Sequence, residues 1–527
     1  SLQAAINAAE TGETVTLLSN VSENITVAQD KQITLDLNGN KIENKIENDG
    51  RSHTVTNYGT LTVTGNGTVD NTANGRSALY NAPDASLTIL SGTFVRSQEA
   101  GSLDGKSAGG NSYYVILNQG EMVIGTADDE AANEEILVYA GTSPEDSANH
   151  RHSSLISSGY FDTATYQEEN AYPTLTIYGG TFYGGNGTVK NDELNTLTIA
   201  GGTFHAPDQA LMNWSKATIT GGEFNGSVIA WYYNGVNLGK YDVSTDIQGG
   251  VFNNVVEDRN FSNGNAPRLE GISITNGTFA SPVREEYLAE GYSFTLEDGN
   301  YVPVNTAAVA EIDREGVVYR FAELAAALEA AQSGDTIRLR DNVDISEGMS
   351  IDHELTFDLC GHTLTNSEQD YVIWATADIS IISTGGKGTI EAANGITFIG
   401  NDTPITVNVE NIDINVTGGR AIQTSDIIGT FTNITVTAVL ENATANNVAT
   451  LFIDSTITIR DSVIDYTFNY DESQFATLND APIGESIEAN GANLTLIGTT
   501  VYARGNGNSY GVISLGNSST AEAESTS

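Results

Sequence analysis

Side chains able to move protons or hold cations are few and gather in short stretches. Around "IDSTITIRDSVIDYTFNYDES", Asp454, Arg460, Asp461 and Asp465 bring one cation among three carboxylates. A lyase acting beside a uronate carboxyl needs a base to take the proton and a cation, such as calcium, to neutralise the acid. Arg460 is the candidate base or carboxylate clamp, and the aspartates, placed on adjacent turns of chain, are the candidate metal ligands. The plainer reading is an arginine satisfied by flanking acids on a solvated face. His150 and His152 flank Arg151 beside Glu145 and Asp146, an arrangement open to metal or acid–base work but also typical of a solvated loop. Asp128, Asp129 and Glu130, followed by Glu134 and Glu135, offer hard oxygens to calcium, yet lack the Asp-x-Asp-x-Asp-Gly spacing of a binding loop. The single cysteine, Cys360, excludes a disulfide within the chain and is expected to pack in the core. Its neighbour His362, two residues on, is expected on the same strand face, which gives no nucleophile–base pair.

Aromatic residues carry the binding signal. "MNWSKA" places Trp214, and "IAWYYNG" places Trp231, Tyr232 and Tyr233 about one repeat later. Flat apolar ring faces suit sugar rings, and neighbouring Asn and Asp suit their hydroxyls, so these four residues form a candidate glycan platform, with core packing claiming at least one of them.

Such residues need a scaffold, and the sequence describes one. Gly is abundant at 54 residues and only 17% of residues are charged, a composition of many short strands joined by turns. The segment "LQAAINAAETGETVTLLSNV" from Leu2 matches "LAAALEAAQSGDTIRLRDNV" from Leu324 without a gap, and "TLDLNG" from Thr34 meets "TFDLCG" from Thr356 at the same offset. In each copy an apolar stripe (Leu2, Ala5, Ile6, Ala9; Leu324, Ala327, Leu328, Ala331) predicts a short amphipathic helix stopped by Gly12 or Gly334. Between the copies a unit recurs as "LTILSGTF", "LTIYGGTF", "LTIAGGTF", "ATITGGEF", "DIQGGVF" and "ISITNGTF". Repeats of roughly 20 to 30 residues with period-2 alternation define a β-solenoid, here an all-β, right-handed parallel β-helix in two tandem domains, each capped by its helix. Phe94, Phe182, Phe204, Phe224, Phe252 and Phe279 are expected to stack inside, and Asn57, Asn81, Asn118 and Asn213 to form an amide ladder at a turn.

The expected layout is a first domain over 1–304 with insertions near 97–114 and 141–173, a linker at 305–310, and a second domain over 311–517. The small, acidic residues 518–527 read as the start of a flexible linker. The insertions are the expected binding loops. Asp298–Gly299 predicts a hairpin closing the first domain. The formal net charge of −46 argues against nucleic acid, and no apolar run reaches the ~20 residues of a membrane span. Opening at Ser1 without a basic and apolar leader, the chain reads as a mature or trimmed fragment.

The opening segment, the Gly-Gly-Thr-Phe turns and the closure "EYLAEGYSFTLEDGNYVPV" together resemble large cell-surface β-helix proteins of Gram-positive bacteria, some of them adhesins, over most of residues 1–304 and the start of the second domain. That resemblance implies export, attachment to a wall or sheath, and a multidomain parent. Pectate lyases and polygalacturonases share the pectate-lyase-like solenoid, but the Asn-Thr-Asp, Gly-His-Gly and Arg-x-Lys set of the latter is not found, and "CGHTL" lacks the second glycine. The expected function is therefore a non-catalytic adhesin or glycan-binding stalk whose partner is a glycan or a host or neighbour-cell surface protein. A structural spacer or self-associating subunit of an extracellular layer is the first alternative, and a polysaccharide lyase or hydrolase the second.

Overall fold

A computed structural model describes residues 1–45, 52–72, 76–97, 114–129, 133–151, 154–160, 169–232, 243–366, 371–401, 403–475, 480–506 and 511–524. The chain is an all-β parallel β-helix and divides into two compact units, Ser1–Asn305 and Thr306–Ser527. Each coil contributes one strand to each of three sheets, because alternating apolar residues must face a common interior while turns return the chain to the next level.

In the first unit, helix Leu2–Ala8 caps the core with Leu2 and Ile6, while the Ser1 hydroxyl accepts the Ala4 amide. Ala5, expected in the stripe, is exposed. In the second unit helix Leu324–Ala330 buries Leu324, Ala326, Ala327 and Ala330. Neither helix stops at its glycine: both end at an alanine, and Gly12 or Gly334 sits three residues beyond Ala9 or Ala331 at φ +85° or +89°. There each glycine amide bonds the first coil's return strand, Gly12 to Gln32 (2.7 Å) and Gly334 to Glu354 (2.9 Å).

The duplicated "DLNG" and "DLCG" segments form the same turn twice. Asp36 accepts the Asn38 amide and Asp358 the Cys360 amide, each at 2.9 Å. Asn38 and Gly39, like Cys360 and Gly361, take left-handed conformations. Cys360 is therefore not a core residue; it is half-buried at a turn, and Leu359 beneath it is the buried one. His362 follows the turn and shares no strand face with it, since the Leu359 carbonyl accepts its amide to close the turn.

In the first unit's first sheet, Leu61, Leu87, Leu175, Leu197 and Ala217 face inward. The second sheet carries the phenylalanines: Phe182, Phe204, Phe224, Phe252 and Phe279 stack at centroid separations of 4.9, 5.0, 4.9 and 4.7 Å. Phe94 lies in the same column but does not touch Phe182, because Val138 pairs with both positions. Where two glycines precede the Phe, they act differently. A Cβ at Gly201 would lie 2.2 Å from the Tyr178 carbonyl of the coil below, whereas Gly202 needs its φ of +100°.

A buried polar ladder runs along the third sheet and the turn that leads from it to the first. Asn57 donates to Asn81 (2.8 Å), Asn81 to Asn118 (2.8 Å), and Asn118 to the Ser158 hydroxyl (2.7 Å). Ser158 donates to Asn195, Asn195 to Asn191, Asn191 to Asn213 and Asn213 to Thr245, at 2.6 to 2.8 Å. The corresponding column of the second unit, Ile351, Ala375, Phe398, Thr424, Phe452 and Ala489, is mostly apolar.

Residues 141–173 are not one insertion. Helix Pro144–Ala148 docks beside the second sheet, with Ser147 accepting the Ala140 amide (2.9 Å) and donating to the Tyr183 carbonyl. Ile156–Ser158 is an ordinary third-sheet strand paired with Ile116–Asn118. The expected insertion at 97–114 lies outside the described residues except for Ser97 and Tyr114. The Asp298–Gly299 hairpin joins Ser293–Glu297 to Asn300–Val304. Residues 518–527, read as a linker, contain strand Thr520–Glu524, because Ala521 and Ala523 fall in register with Leu494 and Leu496.

Candidate functional site

In the second unit the second sheet runs Val343–Ile345, Thr363–Asn366, Gly388–Ala392, Ile412–Val416, Thr435–Ala443, Val463–Tyr470 and Thr500–Gly505. Its inner positions, Leu364, Ile390, Ile414, Val436 and Ile464, are buried. Alternation therefore sends Thr365, Glu391, Asn415, Thr437, Asp465 and Tyr502 outward, and pairing holds them in one in-register column.

The first four of these residues floor a groove of about 730 Å³, walled by Ala393, Asn394, Thr417 and Gly418 from the turns that follow two of the strands. The walls are fixed by close stacking, since the Gly418 amide bonds the Ala393 carbonyl at 2.6 Å. A Cβ on Gly418 would approach that oxygen to 2.5 Å. The side chains of Thr365, Glu391, Asn415, Thr437 and Asn394 make no hydrogen bond with any described residue. Hydroxyl, amide and carboxylate groups thus recur at the ~4.8 Å strand spacing with their bonding capacity unspent. Beyond the groove the column ends on a closed set: Arg504 bonds Asp465 at 2.7 Å and lies 4.4 Å over the Tyr502 ring.

The sequence did not single out these groove residues. Their polar alternation is visible, but successive members stand 26, 24 and 22 residues apart from Thr365 to Thr437, so no fixed period marks the column.

The Asp454, Arg460, Asp461 and Asp465 group does not assemble as expected, because all four belong to one coil. Asp454 and Asp461 occupy left-handed turns at either end of strand Thr456–Arg460, and their carboxylates crowd Gly491 and Gly498 of the next coil. Arg460 is exposed on the first sheet, in register with Thr432 and Ile497, and has no ion pair among the described residues. Asp465 is on the second sheet and belongs to Arg504.

The aromatic platform is also rearranged. Trp214 and Trp231 do come together, stacked at 5.4 Å, but Trp231 is only 7% exposed and its indole N–H donates to Gln209 (2.8 Å). Tyr232 is buried, its hydroxyl donating to the Glu270 carbonyl and its ring lying 4.8 Å beneath the Arg268 guanidinium. Tyr233 lies outside the described residues. Phe261, which the sequence reading passed over, sets its edge against both tryptophans at 6.2 Å and is 59% exposed. The indoles use their faces on each other, so they form a packed cluster with Met212 and Ile229 instead of an open shelf.

His150 follows helix Pro144–Ala148 and is exposed, 3.4 Å from Asp146, while Arg151 faces Asp208 at 3.9 Å. His152 and Glu130 lie outside the described residues, and Asp128 and Asp129 are exposed. Among the described residues no three His, Cys, Asp or Glu side chains are placed to share a metal ion. A buried ion pair went unforeseen in the first unit's third sheet. Lys190 meets Asp192 at 2.9 Å, and Ser157 donates to the same carboxylate at 2.7 Å. Burial opposes the lysine's charge, but the Asp192 carboxylate holds its pKa above the ordinary value. The Lys190 ammonium also lies 5.9 Å from the centre of the Tyr114 ring.

The fold class is thus a two-unit parallel β-helix, and no helix among the described residues is long and apolar enough to cross a membrane. No protein-family model matches the chain, and no curated protein sequence matches it significantly.

Proposed function

We propose that this chain is an extracellular, surface-attached β-solenoid that binds a glycan without cleaving it, as an adhesin or stalk, and that the glycan lies along the groove of the second unit. The observation that carries this reading is the column Thr365, Glu391, Asn415 and Thr437, whose polar groups have no partner among the described residues. A sugar chain presents donors and acceptors at regular intervals, which is what such a column can satisfy. The net charge of −46 suits a soluble exported surface protein and disfavours polyanionic partners.

Binding to an array of cell-wall and host glycans tests the reading. Asn415→Ala or Thr437→Ala is expected to weaken a captured glycan about fivefold, one hydrogen bond's worth, with no new reducing ends or unsaturated products. A wild-type chain that captures no glycan and instead self-assembles would favour the spacer reading, to which the continuous stack of Phe182 to Phe279 is suited as a stiffening element.

A further inference from the structure

We infer that Glu391 makes this groove selective for glycans that carry free amino groups, over neutral and uronate-bearing chains; the inference rests on the groove being the glycan site. Among the described residues lining the groove, Glu391 is the one that carries a charge, and it stands in mid-column between Thr365 and Asn415. It is exposed and has no ion pair or hydrogen bond with a described residue. Cations on the same sheet are already matched. Lys387 lies 2.5 Å from Asp413 and 2.5 Å from the Thr435 hydroxyl, and Arg504 is held by Asp465.

A chain lying in the groove strips water from this carboxylate. A neutral sugar returns only hydroxyl donors, whereas an ammonium group returns a charge-assisted hydrogen bond of roughly twice the strength. A uronate brought to the same place meets a like charge inside a strongly acidic protein, so the groove repels it. The flanking Asn415, Asn394 and Thr417 supply neutral bonds common to any sugar chain, which separates affinity from selectivity: Asn415 contributes the first and Glu391 the second.

Calorimetric titration of the whole chain with glucosamine, N-acetylglucosamine and galacturonate oligomers of equal length, at a mildly acidic pH where the amine is protonated, tests this. Wild type is expected to prefer the glucosamine oligomer over its acetylated form by on the order of fivefold at low salt, the preference fading near 1 M salt where screening is short-ranged. Glu391→Gln should abolish the preference, read as the ratio of the two affinities, and Asn415→Ala should weaken both oligomers and leave that ratio intact. If the oligomers bind and Glu391→Gln leaves the ratio unchanged, or galacturonate binds as well as glucosamine, the inference falls and the groove stands. If Asn415→Ala leaves every affinity unchanged, or nothing binds wild type, the glycan reading of the groove falls with it.

Discussion

Two titratable side chains tie single positions to stability. His53 lies under Tyr80, ring centroids 5.0 Å apart, and its Nδ1 accepts the Ser77 amide at 3.2 Å. Burial first, and the nearby Arg76 charge second, push its pKa down to about 4. The unfolded chain, with an ordinary value near 6.5, therefore binds a proton that the folded one refuses. Stability from the neutral ring is complete above that pH and is lost as pH falls through about 4. His53→Gln should remove an acid-induced loss on the order of 3 kcal/mol between these limits, measured by denaturant midpoints across pH. Asp358 behaves in the same direction for another reason. Burial works against its charge, yet the Thr384 hydroxyl (2.7 Å) and the amides of Cys360 and Thr384 hold its carboxyl below the ordinary value. Its contribution is present above the ordinary aspartate range and disappears as pH falls through the lowered folded value. Asp358→Asn should cost ~1–3 kcal/mol at neutral pH and much less in strong acid.

Columns of like side chains decide how one coil registers on the next. Asn81 accepts from Asn57 and donates to Asn118, all three fully buried, and donates also to the Glu121 carbonyl (2.9 Å). Asn81→Ala leaves donors and acceptors on two coils without partners, and a loss of ~3 kcal/mol in urea unfolding is expected. Phe224, stacked on both sides, should cost ~3–5 kcal/mol as Phe224→Ala through the cavity it leaves. The ladder was partly legible, because Asn precedes a strand at Asn57, Asn81, Asn118 and Asn213. Ser158 and Thr245 were not, since Ser and Thr substitute chemically for Asn without resembling it in sequence, and Ser158 sat inside what read as a long insertion; Asn191 and Asn195 fall in one coil, so neither stands out as its single ladder position.

Charge acts over the whole surface of both units. At −46 the folded chain repels itself, and only 22 basic residues offset 68 acidic ones. Raising ionic strength from ~0.01 to ~0.15 M shortens the screening length from ~30 to ~8 Å, so melting temperature should rise over that range; a fall would mean that short ion pairs, such as Lys387 with Asp413, outweigh the general repulsion. The same imbalance gives the pairing of Lys190 with Asp192 its sense, because a buried cation in an acidic protein finds a partner without long-range opposition.

The alternation of Leu, Thr and Ile, the Gly-Gly-Thr-Phe turns and the duplicated cap segments determined the strands, the caps and the solenoid by themselves, since these depend on contacts within a coil or between a residue and its near neighbours. Phe182 through Phe279 were predictable as a stack because each closes the same recurring phrase, which marks the position whatever the length of its coil. What only the tertiary structure decided is everything that depends on register between coils that share no such phrase. Turn lengths placed Asp454, Arg460, Asp461 and Asp465 around one coil instead of beside one another, turned the faces of Trp214 and Trp231 onto each other, and aligned Thr365, Glu391, Asn415 and Thr437 into a groove. A strand's period fixes which side of the sheet a residue faces; the number of residues spent in each turn fixes which residue of the next coil it meets.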